Sequence, residues 1–128
     1  MLELVVVVVI LAILAAAAAV HGTKTIERGH GTEATTYLVT LRAAEMRYRA
    51  TNASNVYTNQ LADLDVELSA SLPPWGVPAF SAPATIGLAV LTRVSGAYAG
   101  QTVGIQYGTA TLCGTFAPLQ PLPACAAD

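Results

Sequence analysis

The first twenty residues are set apart by their lack of polar side chains. Glu3 is the exception, and it is followed by an apolar run from Leu4 to Val20 with no charge, no Gly and no Pro. As an α-helix this run would be roughly 25 Å long, close to the ~30 Å hydrocarbon core of a bilayer. A lone segment in lipid must satisfy its own backbone hydrogen bonds. The pattern therefore predicts an apolar N-terminal helix.

A second helical pattern begins at Thr32. Tyr37, Leu41, Ala44 and Tyr48 recur at spacings of four, three and four, which places them on one face of a helix. The charged residues mostly occupy the other sides of the helix. Glu45 and Arg49 have the i,i+4 spacing that favours an ion pair. We therefore predict one long helix from residue 2 to about residue 53.

The segment between the two patterns contains Gly22, Gly29 and Gly31. Each glycine lowers helix stability by about 1 kcal/mol relative to alanine, so we expect a flexible joint, with melting at Gly22 or at Gly29–Gly31. Glu27 and Arg28 are expected to be solvated or to pair between subunits. The pattern predicts two parts: residues 1–31, the apolar helix and joint, and residues 32–128, a globular head.

The second half of the chain carries the period of β-strands. A proline-rich segment, 71–83, is expected to be a loop, and three strand patterns follow, around Ile86, Leu88 and Val90, around Val103, Ile105 and Tyr107, and from Thr109 to Phe116. Short connections favour an antiparallel meander. The predicted fold is α+β, with the second half of a long helix packed on an antiparallel sheet of three or four strands.

Composition and charge narrow the classes of function. Charged residues make up 11% of the chain, against ~25% in typical soluble domains. This deficit is consistent with a surface largely buried against other subunits. The net charge of −2 gives no electrostatic reason to expect a nucleic-acid partner.

The N-terminal run with one acid at its head resembles the processed N-terminus of type IV pilins and of the pseudopilins of type II secretion. The segment from Leu41 to Tyr48, followed by Asn55-Val56-Tyr57-Thr58 and Leu61-Ala62-Asp63-Leu64, is also similar to that family. The family's glutamate lies fifth in the processed chain, whereas Glu3 is third. A cleaved signal peptide is the alternative reading of the run, but no basic residue precedes it.

The resemblance implies a function in assembly. By analogy, Glu3 would pair with the methylated terminal amine of Met1 in a neighbouring subunit. The chain would wait in the inner membrane and be polymerised by a pilus assembly machinery into an extracellular helical homopolymer, with roles in adhesion and motility. A pseudopilin of a type II secretion system and a membrane-tethered surface binding domain remain alternatives.

Two cysteines lie near the C-terminus, Cys113 and Cys125. In an exported chain they are expected to form one disulfide, closing a loop that is also recurrent in pilins; two free thiols are the alternative. The two cysteines do not have the close spacing that is typical of zinc ligands.

The remaining polar residues suggest no catalytic site, and we expect no enzyme activity, no metal and no cofactor. His21 and His30 would face different sides of a helix. Asp63, Asp65 and Glu67 alternate in a way that could suggest calcium, but they lack the glycine of an EF-hand loop, so a solvated edge is the stronger expectation.

Overall fold

The computed structural model describes residues 1–81 and 87–126, apart from the side chain of Val20. Helix α1 spans Leu2–Thr51, and the four strands that follow are β1, Ala79–Ser81; β2, Leu88–Thr92; β3, Thr102–Gln106; and β4, Leu112–Gly114. Two short 3-10 helices lie at Leu61–Asp63 and Ala117–Leu119. The predicted α+β fold, a long N-terminal helix with an antiparallel sheet, is confirmed.

Helix α1 is 50 residues long and unbroken, about 75 Å at the usual rise per residue. Its first half is helical without support from the head, because leucine and alanine favour helix and the backbone pairs within the segment. It ends one turn before a left-handed residue, Asn55, whose φ is 52°. The predicted end near residue 53 is thus accurate to two residues.

The sheet is a four-stranded antiparallel meander in the order β1-β2-β3-β4. In register, Val90 of β2 lies opposite Gly104 of β3, which in turn lies opposite Cys113 of β4. Strand β1 falls inside the segment predicted to be a loop, because its three residues follow the last proline of the Pro73–Pro78 cluster and can pair with β2. The prediction for Ile86 lies outside the described residues.

The core lies between the second half of α1 and the sheet. Ala34, Leu38 and Leu41 are fully buried on the helix side. They share one cluster with Tyr37 of the same helix and with buried residues of the sheet and loops: Tyr57, Trp75, Ala89, Leu91, Val103, Ile105, Tyr107 and Phe116. Tyr37, Leu41 and Ala44 of the predicted stripe are buried on this face, whereas Tyr48 is only half-buried.

Strand β2 runs against the direction of α1. Arg93, just after β2, bonds to Glu27 of the helix, whereas Tyr107, just after the neighbouring strand β3, accepts a hydrogen bond from Arg42. The β2–β3 turn therefore lies at the end of the head nearest the apolar half of α1, and the β3–β4 turn lies at the far end.

Candidate assembly site

The apolar half of α1 lies outside the head. Its large side chains from Leu2 to Leu14 have exposed fractions between 49% and 82%. The helix is long and apolar enough to cross a membrane, and its most apolar window has no residue buried by the rest of the chain. Water is a poor solvent for such a surface, and this half of α1 is compatible with insertion in a membrane.

Met1 and Glu3 lie at the free end of this surface. Met1 caps the helix, with its carbonyl oxygen accepting the amide of Val5 at 3.3 Å, and Glu3 lies in the first turn. A carboxylate there interacts favourably with the positive end of the helix dipole. Both residues are exposed, so they are accessible to another molecule.

The three glycines of the expected joint do not interrupt the helix. At Gly22 and Gly29 an added Cβ would meet nothing within 4 Å, whereas at Gly31 it would lie 2.9 Å from side-chain carbons of Leu119 and Phe116. The melting expected at these positions is absent, because a cost of about 1 kcal/mol per glycine does not outweigh a continuous hydrogen-bond ladder. Gly31 has a packing role: it lets the tail approach the helix.

A buried ion pair fixes the head to the helix just beyond the apolar half. Arg93 donates to Glu27 at 2.9 Å, and the Arg93 side chain is only 4% exposed. Its guanidinium also lies over the ring of Trp75, 5.8 Å from the centroid, while the indole N–H of Trp75 donates to the carbonyl of His30. Sequence reasoning missed this pairing within one subunit, because 66 residues separate Glu27 and Arg93.

Glu45 is fully buried, contrary to the expected pairing with Arg49 on the helix surface. One of its carboxylate oxygens accepts the backbone N–H of Thr58 at 3.0 Å; the other is buried with no partner among the described residues. Burial raises the pKa of Glu45 to about 7, and the negative charge of Asp63 adds to the rise, while the Thr58 hydrogen bond opposes it.

Arg49 instead turns to the loop after the helix, where it donates to Asn55 and to the hydroxyl of Tyr57. A sequence signal for Glu45 was available: it lies four residues after Leu41 and three before Tyr48, on the apolar stripe itself.

Cys113 and Cys125 form the predicted disulfide, with their Cα atoms 4.9 Å apart. The bond pins the tail across β3, where Gly104 leaves room: a Cβ there would lie 3.0 Å from the sulfur of Cys125. The backbone N–H of Gly114 also donates to the carbonyl of Pro123. The tail is thereby held on the last two strands of the sheet.

Two of the acidic residues considered for calcium are bonded to other side chains. Asp65 forms a two-bond ion pair with Arg47, which lowers the pKa of Asp65, and Asp63 accepts a hydrogen bond from Thr58. Residues 1–81 and 87–126 contain no cluster of three or more His, Cys, Asp or Glu side chains able to hold a metal. An open groove of about 360 Å³ beside Arg47 and Asp65 is lined by this ion pair and by the end of α1.

Comparison with known proteins found no match for this chain among protein-family models, curated proteins or solved structures.

Proposed function

We propose that this chain is a structural subunit of an extracellular type IV pilus-like filament that assembles through its apolar N-terminal helix. The observation that carries the proposal is that this half of α1 is helical, uncovered by the head and headed by one acid. Complete burial of one Val, Leu or Ile side chain is favourable by about 1.5–3 kcal/mol. Relative to exposure to water, surrounding this half of the helix with lipid or with copies of itself would therefore be strongly favourable.

The subunit would pass through two environments. In the inner membrane, lipid would cover the apolar half of α1; in the filament, the same half of neighbouring subunits would replace lipid, with the heads outside. The resemblance of the first residues to processed type IV pilins supports this sequence of events, as do the tail disulfide and the charge-poor composition.

Glu3 would select the register of assembly. A carboxylate among apolar helices is tolerated when a cation neutralises it, and an unpaired buried charge costs about 3–5 kcal/mol. The terminal amine of Met1 in a neighbouring subunit is the proposed partner. Because the cost recurs at every subunit of a polymer, misregistered subunits would be strongly disfavoured.

We predict that Glu3→Ala leaves the head folded and the chain in the membrane but strongly reduces filament yield. Filaments sheared from cells would be counted by electron microscopy, with membrane content measured by immunoblot. Glu67→Ala is the matched control, because Glu67 is exposed on the head and far from the N-terminus in sequence. Normal filament counts from cells that express only the Glu3→Ala chain would contradict the assigned role.

The same micrographs separate the alternative functions. A pseudopilin would form a short piston of the secretion system and a membrane-tethered binding domain would form no polymer, so neither would give sheared filaments at native expression. Wild-type cells that show the chain in membranes and no sheared filaments at native expression would therefore overturn the proposal.

A further inference from the structure

The end of the head that faces the apolar half of α1 has a distinctive surface. The β2–β3 turn, from Val94 to Gly100, contains no charged residue, and Val94 is 62% exposed. The adjacent turns of α1 present Ile26, 61% exposed, and two exposed basic residues, Lys24 and Arg28. We define the junction surface as Lys24, Ile26, Arg28, Val94 and Ala97.

The ion pair between helix and head sets the height of this surface. Arg93 is bonded to Glu27 at 2.9 Å, and an added Cβ at Gly96 would lie 3.7 Å from the Glu27 carboxylate. The turn therefore lies level with Glu27. That level is seven residues beyond Val20, the end of the apolar run, or about 10 Å along the helix.

This distance is close to the thickness of the headgroup layer on one side of a bilayer. The polar headgroup region adds roughly 5–8 Å on each side of the ~30 Å hydrocarbon core. The ~25 Å run from Leu4 to Val20 is about 5 Å shorter than the hydrocarbon core, so when it is centred there Val20 lies about 2–3 Å inside the boundary. The β2–β3 turn then lies about 8 Å outside the boundary, at the outer edge of the headgroup layer. Because α1 continues without a break from the apolar run to Glu27, the depth of the run in the bilayer sets the height of the β2–β3 turn.

The charges of the junction surface also match lipid headgroups. Glu27 is neutralised by Arg93, and within the described part of the chain neither Lys24 nor Arg28 takes part in a salt bridge. The surface thus carries net positive charge beside exposed apolar side chains. Basic residues at this depth are attracted to anionic lipids, and exposed apolar side chains favour the headgroup–acyl boundary.

We propose that the junction surface rests on the headgroup layer of the bilayer and binds anionic phospholipids while the subunit is in the membrane. Contact at this surface holds the head upright on the membrane at a fixed height. The inference depends on membrane insertion, one part of the proposed function, and does not require filament assembly.

Site-directed spin labelling of the full chain in vesicles tests this contact. Because the two native cysteines are paired in a disulfide, one nitroxide can be attached at Ala97→Cys and compared with a matched label at Gly108→Cys. Gly108 lies in the far β3–β4 turn, where an added side chain meets nothing within 4 Å. The probe is a headgroup-attached nickel chelate in vesicles of phosphatidylcholine with phosphatidylglycerol, and a third label at Ala12→Cys reports insertion.

We expect the nickel lipid to relax the label at position 97 severalfold more strongly than the label at position 108. The double variant Lys24→Gln with Arg28→Gln should lower the equilibrium constant for contact between the junction surface and the headgroup layer by roughly fivefold for each basic residue removed. Equal relaxation of both labels, with the label at Ala12 shielded from water, would overturn the inference and leave the proposed filament function intact. Relaxation at position 97 that does not exceed that at position 108 at low protein-to-lipid ratio, and that falls further as the ratio rises, would also overturn it, because a second copy would then cover the surface. A label at Ala12 exposed to water would refute insertion, and the proposed function with it.

Discussion

Replacement of Glu45 by Gln should stabilise the head at alkaline pH and remove most of a pH dependence that the wild-type chain carries between pH 5 and pH 8. Glu45 is fully buried, and the hydrogen bond from Thr58 reaches only one of its two oxygens. Gln keeps the oxygen that accepts this bond and has no charge to bury. The difference in pH dependence between the two chains therefore reports the free energy of ionising one carboxyl group inside the core, apart from any constant cost of burying the Gln amide donors.

The magnitude follows from the pKa of Glu45, raised from 4.5 to about 7 by burial. Between these two values the folded chain binds the proton and the unfolded chain has released it, so the free energy of unfolding falls as pH rises. At 1.36 kcal/mol per pKa unit the full effect is on the order of 3 kcal/mol, with about 2–3 kcal/mol of it between pH 5 and pH 8. This is a large fraction of the ~5–15 kcal/mol that stabilises a typical domain.

Urea denaturation of the full chain in detergent micelles would measure the effect at intervals from pH 5 to pH 8. Trp75 is the single tryptophan and is buried in the core, so its fluorescence reports unfolding of the head; circular dichroism gives a second probe. The ion pair with Arg47 lowers the pKa of Asp65 from 3.8, so Asp65 titrates below this range. Glu67→Gln removes an exposed carboxylate and should leave the wild-type slope unchanged.

Two results would refute the reasoning. A wild-type head whose stability is constant or rises from pH 5 to pH 8 would show that Glu45 is ionised in the folded chain at low cost. A Glu45→Gln head with the wild-type slope would show that another group causes the pH dependence.

Four further substitutions test the packing around the helix and of the tail. Arg93→Ala should destabilise the head by about 3–5 kcal/mol, since it leaves the Glu27 carboxylate buried without its partner, and a double-mutant cycle with Glu27→Gln measures the coupling; a coupling near zero would contradict a buried pair. Cys113→Ser should cost roughly 3 kcal/mol by loop entropy and loosen the tail with little loss of secondary structure, whereas two alkylatable thiols in unreduced exported protein would contradict the disulfide. Gly29→Ala should stabilise the helix by up to about 1 kcal/mol, while Gly31→Ala should destabilise the head because its Cβ enters the space of the packed tail; equal effects in thermal melts would show that Gly31 is not close-packed.

Local periodicity was sufficient to predict the elements of this fold. The apolar run and the stripe from Tyr37 to Tyr48 predicted one long helix, and alternation around Leu88–Val90 and Val103–Tyr107 predicted two central strands. The cysteine pair was also predictable, because a chain with two cysteines offers a single intramolecular pairing. Strand β1 was hidden by the prolines that precede it.

Contacts between distant segments could not be predicted in this way. Glu45 interrupts an apolar stripe, but its burial depends on a loop that brings the N–H of Thr58 to it. Glu27 was expected to be solvated, since nothing near it in sequence indicates Arg93. The three glycines lower helix propensity by the same amount. Only Gly31 faces the tail, and the tail contact cannot be seen in the local sequence.

The unbroken helix has a mechanical consequence. A pull between the apolar half and the far end of α1 loads the helix directly, and the sheet lies outside the path of the force. The exposed turn from Gly22 to Ile26 contains one glycine, two threonines and one isoleucine, which are weak helix formers, and it precedes the ion pair at Glu27, so extension should begin there. When a residue changes from helix to extended chain, its rise along the direction of force increases from about 1.5 Å to about 3.3 Å. The segment can therefore act as a short elastic element that yields under tension while the head stays folded.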